Sequence, residues 1–170
     1  MRRVQERRAL TALTRARAVL VTAGVAAAAV AADQTTTTWA LDHVRRPEHV
    51  IGPLGLNLQF NSGTAFSFLS GAGIWIVPVL VAILGAVLLL AWRTRRFLLA
   101  VAYGLVLGGA FGNLADRVLR GHRGQVVDFV TLSHWPTFNV ADACITVGVV
   151  LLVLALLRAG PGLRRPDALR

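Results

Sequence analysis

Four long apolar windows decide what this chain can fold into. They cover residues 18–32, 74–92, 97–112 and 138–157, and runs of about 20 apolar residues mark helices that cross a bilayer. With 55% hydrophobic and only 15% charged residues, the chain is too apolar for an ordinary soluble domain. Adding the polar residues that end each window places the spans at about 18–36, 73–92, 97–116 and 138–158. The expected fold is an all-α membrane protein of four transmembrane helices, a single membrane-embedded domain over 1–170. Outer loops fall at about 37–72 and 117–137, and disordered basic tails at about 1–15 and 160–170. Ala29-Val30-Ala31 has the small residues of a signal-peptidase cut. However, the polar run from Asp33 through Thr38 to the interfacial Trp39 reads better as the end of a retained helix.

Every basic residue is an arginine, and the formal charge is +10. Such a balance raises nucleic acid as a partner, but the placement argues otherwise. Thirteen arginines precede the first window, join the second to the third, or follow the fourth, against five in the two remaining loops. The positive-inside rule then puts both termini in the cytoplasm. The charge encodes orientation, and no nucleic-acid partner is expected. Cys144 is the single cysteine, so an internal disulfide and a multi-cysteine metal site are excluded. His43, His49, His122 and His134 show no zinc spacing, and neither a metal nor another cofactor is expected.

In the first outer loop Leu54, Leu56, Leu58 and Phe60 alternate with Gly55, Asn57, Gln59 and Asn61, a strand with one apolar face. A turn at Asn61-Ser62-Gly63 follows. Gly104, Gly108 and Gly112 put small residues on one face of the third span, which favours close helix contact. That span ends in Asn113, Asp116 and Arg117, spaced to share one side of the helix end.

The polar residues gather at one depth. Asp33, Asn61, Asn113, Asp116, Arg117, Asp128, Asn139 and Asp142 all fall at outer span ends or in the adjoining loops. An ionisable group within a span is expensive and marks a functional candidate. Asp128, inside Val126–Val130, and Asp142, near the start of the fourth span, suggest a pair of carboxyls sharing one proton. Helix caps or arginine-paired aspartates would be written with the same residues. A small proton-coupled membrane transporter or channel is the alternative function, although the almost wholly aliphatic inner halves of the spans give little support to a path across.

At these positions the chain resembles the signal peptidase II (prolipoprotein signal peptidase) family. The blocks that carry the likeness are Asn61 to Phe66 with Gly63, Gly109 to Arg117, Val126 to Phe129 and Phe138 to Asp142, with Asp33-Gln34 ending the first span. One departure is Thr37, where the family usually has a lysine. The resemblance implies an aspartic endopeptidase of the bacterial plasma membrane, with Asp128 and Asp142 catalytic. It implies lipid-modified prolipoproteins as substrates, cut just N-terminal to the diacylglyceryl-bearing cysteine. Asn61, Gly63, Asn113, Arg117 and Asn139 would orient substrate or carboxyls, and Asp33 and Asp116 would give structural support, with Arg117 fixing the loop through Asp116. A small extracytoplasmic β-sheet cradle and a short outer loop helix are also implied. The enzyme is expected to act as a monomer among membrane lipids.

Overall fold

A computed structural model describes residues 2–62 and 77–158. Four helices and four strands follow in the order α1 (Arg2–His43), β1 (Glu48–Ile51), β2 (Leu54–Asn61), α2 (Val77–Arg93), α3 (Phe97–Leu119), β3 (Val126–Leu132), β4 (Trp135–Phe138) and α4 (Val140–Arg158). Among the described residues, three helical stretches are long and apolar enough to cross a membrane: Leu10–His43, Phe97–Leu119 and Val140–Arg158. The described part of α2 carries a shorter apolar run, Val81–Arg93, and the expected start of that span lies outside the described residues. Leu89, Trp92, Leu156 and Leu157 are among many large apolar side chains left exposed. A surface of that kind is satisfied by lipid.

The third helix is the centre of the bundle, packed against α1 on one side and α4 on the other. Its glycines make this possible. A methyl group at Gly104 or Gly108 would collide with Val25 or Ala29 of α1, and one at Gly109 with the Ala141 carbonyl of α4. The second helix closes the side of the bundle, where Leu84 and Ala91 pack on Leu107.

At one end of the bundle the strands form an antiparallel sheet in the order β1-β2-β3-β4. Ala40 and Val44 at the end of α1 pack under it against Phe129, Leu56 and Leu58. The apolar face expected for residues 54–60 is therefore present but interrupted. A register shift between Leu56 and Gln59 adds a residue to the strand and turns its remaining residues. Phe60, expected on the apolar face, is 46% exposed and rests instead on the His122 ring, 4.8 Å between centroids.

One further expectation needs correction. The basic lead over 1–15 is helical from Arg2 onward, continuous with α1, because alanine, leucine and arginine all favour helix and nothing in the lead breaks one. Residues 63–76 of the first outer loop, where the expected short loop helix could fall, lie outside the described residues, and the second outer loop contains strands. The chain leaves α3 through a turn in which Gly121, Arg123 and Gly124 take positive φ, and the β3-β4 hairpin comes next. The tail over 160–170 and the turn residue Gly63 lie outside the described residues.

Candidate active site

The start of α4 is where the polar side chains meet. Asn139 is its N-cap: the Oδ1 atom accepts the Asp142 amide N–H at 2.9 Å. Reciprocally, Asp142 Oδ2 accepts the Asn139 N–H at 3.4 Å, which satisfies two backbone donors at once. A third donor, the Ala141 N–H, reaches Oδ1 of the fully buried Asp33 at 2.9 Å. Gly112 makes room for that carboxylate, since a Cβ there would lie 2.6 Å from Asp33 Oδ2.

The Asn139 amide also ties the helix to the sheet. Its Nδ2 donates to the Val127 carbonyl at 3.3 Å and to Asn113 Oδ1 at 3.1 Å. Asn113 Nδ2 in turn donates to Asp142 Oδ1 at 2.8 Å. On the neighbouring residue of β3, Asp128 Oδ2 accepts from Asn61 Nδ2 of β2 at 3.0 Å. Three asparagines therefore hold two carboxyls, one from a strand and one from a helix. Asp142 accepts at both oxygens, the pattern of a carboxylate. Asp128 Oδ1 is buried and has no hydrogen-bond partner among the described residues.

Asp128 is only 2% exposed, and burial above all pushes its carboxyl up to about 7 from the usual 3.8. The Asn61 hydrogen bond pulls it down; the Asp142 charge raises it further, Arg117 opposes this, and Asp116 adds a smaller rise. The carboxyl therefore titrates near neutral pH, well above the ordinary carboxylate range. The guanidinium of Arg117 lies among Asp142, Asp128 and Asp116, and its Nη1 donates to the Asn113 carbonyl at 3.1 Å.

Behind this pair a second network joins α1, α3 and β3. Asp116 does not pair with Arg117, as expected, but with Arg120, at 2.7 Å. Residues four apart on a helix lie on one face, whereas adjacent ones diverge by about 100°. The other oxygen of Asp116 accepts the Val127 N–H at 3.1 Å and so anchors β3. Arg120 Nη2 continues to the Gln34 carbonyl, Gln34 Oε1 and Thr38 Oγ1 at 3.0, 3.1 and 3.1 Å. Gln34 Nε2 closes the network on Asp33, Asp116 and the Gly112 carbonyl. Sequence reasoning missed Arg120, although its spacing from Asp116 was the available signal. Thr37, the position at which the chain departs from the family pattern, is fully buried, and its hydroxyl has no hydrogen-bond partner among the described residues.

Of the residues singled out in the sequence, the structure thus brings together Asn61, Asn113, Arg117, Asp128, Asn139 and Asp142, with Asp33 and Asp116 beneath them. No group of three or more histidine, cysteine or acidic side chains is arranged to hold a metal ion among the described residues. The fold and the cluster define a helical membrane protein with a carboxyl pair at one end of its bundle.

Comparison with known proteins narrows this. The profile of the family described as Signal peptidase (SPase) II matches residues 25–158. The lipoprotein signal peptidase of Cupriavidus taiwanensis is 48% identical over 115 residues, 64% of this chain and 65% of the relative. That of Dichelobacter nodosus is 37% identical over 141 residues, 77% of this chain and 90% of the relative. A bacterial membrane enzyme solved by the in meso method at 1.9 Å resolution superposes with a TM-score of 0.72 at 31% identity, covering 81% of this chain and 92% of that one. A second such enzyme, at 2.3 Å resolution, gives 0.74 at 28% identity, covering 87% and 94%. The chain spans just under two thirds of the length of the two Cupriavidus relatives it matches. This protein belongs to the signal peptidase II family.

Proposed function

We propose that the protein is a membrane-embedded aspartic endopeptidase that removes signal peptides from prolipoproteins, cutting N-terminal to a diacylglyceryl-modified cysteine. Lipoprotein signal peptidase is the name its relatives carry. The observation that carries the chemistry is a buried carboxyl at Asp128, whose Oδ1 has no hydrogen-bond partner among the described residues, beside an Asp142 that accepts one hydrogen bond at each oxygen.

In this reading Asp142 is the base and Asp128 holds the shared proton. A water between the two gives a proton to Asp142 as its oxygen bonds to the scissile carbonyl carbon. Asp128 hydrogen-bonds the carbonyl oxygen and supports the tetrahedral intermediate. When the carbon–nitrogen bond breaks, the proton on Asp142 passes to the leaving amine. Asn113 and Asn139 orient the carboxyls, Asn61 holds Asp128, and Arg117 offsets the negative charge of the cluster while facing substrate. Gly63, which lies outside the described residues, is assigned to substrate binding. Asp33 and Asp116 hold the scaffold.

The lipid-facing walls let a diacylated substrate approach within the bilayer. The enzyme acts as a monomer in the bacterial cell membrane, with termini in the cytoplasm and the aspartates near the extracytoplasmic face. The test is cleavage by purified protein of a diacylated precursor and its unlipidated twin, with Asp128→Asn and Asp142→Asn alongside. Only the lipidated precursor should be cut, and neither variant should cut it. Full activity of either variant removes the pair as the catalyst, and equal cleavage of the twin removes the lipidated substrate.

A further inference from the structure

The other end of the bundle holds a site that the peptidase chemistry does not use. A cavity of about 810 Å³ opens between the first turns of α1 and the turn joining α2 to α3. Arg7, Thr11, Arg15 and Val19, a row at i, i+4 spacing on α1, form one wall, and Trp92 and Arg95 form the other. Arg15 is fixed in place: its Nε donates to the Trp92 carbonyl at 3.1 Å, and its guanidinium carbon sits 4.7 Å from the centre of the Trp92 ring. Arg7 and Arg95 are exposed, and no other described residue engages them. Among the described residues no carboxylate lines the cavity.

Val19 and Trp92 also line a second cavity of about 190 Å³, which lies between α1, α2 and α3 beside Ala26, Leu88 and Leu107. A charged mouth therefore adjoins an apolar slot at Val19 and Trp92. Arg15 and Asp33 are 18 residues apart on one helix, about 27 Å at 1.5 Å per residue. That is close to the roughly 30 Å of a hydrocarbon core, so the arginine mouth lies at the interface opposite the aspartates.

We propose that this is a binding site for one anionic phospholipid of the leaflet opposite the catalytic pair. Arg7, Arg15 and Arg95 hold the phosphodiester and an acyl chain fills the apolar slot. A zwitterionic lipid brings a cation into an arginine-lined mouth, and a soluble anion leaves the slot empty. Basic pockets between membrane helices select acidic headgroups for the same reason.

The test uses the full chain in nanodiscs and reads Trp92 fluorescence as the difference between the protein and its Trp92→Phe variant. Dibrominated phosphatidylglycerol should quench that signal about fivefold more effectively than dibrominated phosphatidylcholine at equal mole fraction. The preference should vanish in Arg7→Gln/Arg95→Gln. It should persist in Arg93→Gln/Arg96→Gln, which removes two charges from the same turn without touching the lining. Equal quenching by the two lipids overturns the proposal, as does a preference surviving in the first double variant. Loss in the second variant would mean unspecific charge attraction, and loss on adding inorganic phosphate would mean a free-anion site; either outcome also overturns it. None of these readouts depends on peptidase activity.

Discussion

Asn139 and Asp142 cap each other at the first turn of α4, amide N–H to side-chain oxygen in both directions. The helix thereby aims the carboxylate that the proposed chemistry needs. The same Asn139 amide grips the Val127 carbonyl beside Asp128, so one side chain sets the relation between the two acids.

Asn139→Ala removes the cap and the grip together. Loss of an N-cap costs on the order of 1 kcal/mol. The expected result is a modest drop in thermal midpoint with a far larger loss of kcat, because the carboxyls lose their alignment. A variant with normal turnover would show that Asn113 and Asn61 alone align the pair.

The raised pKa of Asp128 has a sign that can be checked. Between the ordinary 3.8 and about 7 the folded protein keeps a proton that the unfolded chain has released. Stability is therefore full below the lower value and falls as pH rises to the upper one. Asp128→Asn does not titrate, so its thermal midpoint should hold from about pH 4 to pH 8 better than that of the parent protein. Parallel curves would contradict the burial argument.

Catalysis should follow the same proton. With Asp128 as the hydrogen-bond donor, kcat/KM for a lipidated precursor should decline as pH passes about 7, approaching tenfold per unit well above it. A rate still climbing beyond pH 8 would reverse the assignment of acid and base.

Arg120 should matter to the fold more than Arg117. Arg120→Gln leaves the buried Asp116 without its cation and slackens the bond to β3. Breaking such a pair costs on the order of 3 kcal/mol. Arg117→Gln should instead spare stability and lower activity. The comparison needs thermal unfolding and turnover measured on both variants.

Two glycines should behave oppositely. Gly112→Ala places a methyl group 2.6 Å from Asp33 Oδ2 and 3.3 Å from Ala141 Cβ, which forces α1, α3 and α4 apart and should lower both yield and activity. Gly85→Ala meets nothing within 4 Å and should be neutral, or gain up to about 1 kcal/mol from helix propensity. Purification yield and thermal midpoint decide.

Much of this architecture was legible in the chain. Apolar windows mark helices directly because the bilayer leaves backbone groups no other partner, and the glycine spacing of α3 announced its close neighbours. The polar residues were found because polarity at span ends is rare enough to stand out. What escaped notice depended on geometry across elements. The bulge that exposes Phe60 leaves no mark in an alternating pattern. The helical lead of α1 showed no periodicity by which to recognise it. Asp116 had two arginines within reach, and only helical phase separates Arg117 from Arg120. Asp33 gripping the start of α4 joins residues 108 positions apart, a relation that no local pattern contains.

That grip bears on biogenesis. A ribosome delivers α1 first and α4 last, so a nascent chain with three helices inserted has Asp33 waiting and no Asp142 at all. The proposed catalytic pair is completed only when the final helix docks on the bundle. On the proposed chemistry, a half-made chain is thus inert towards the membrane in which it is being assembled.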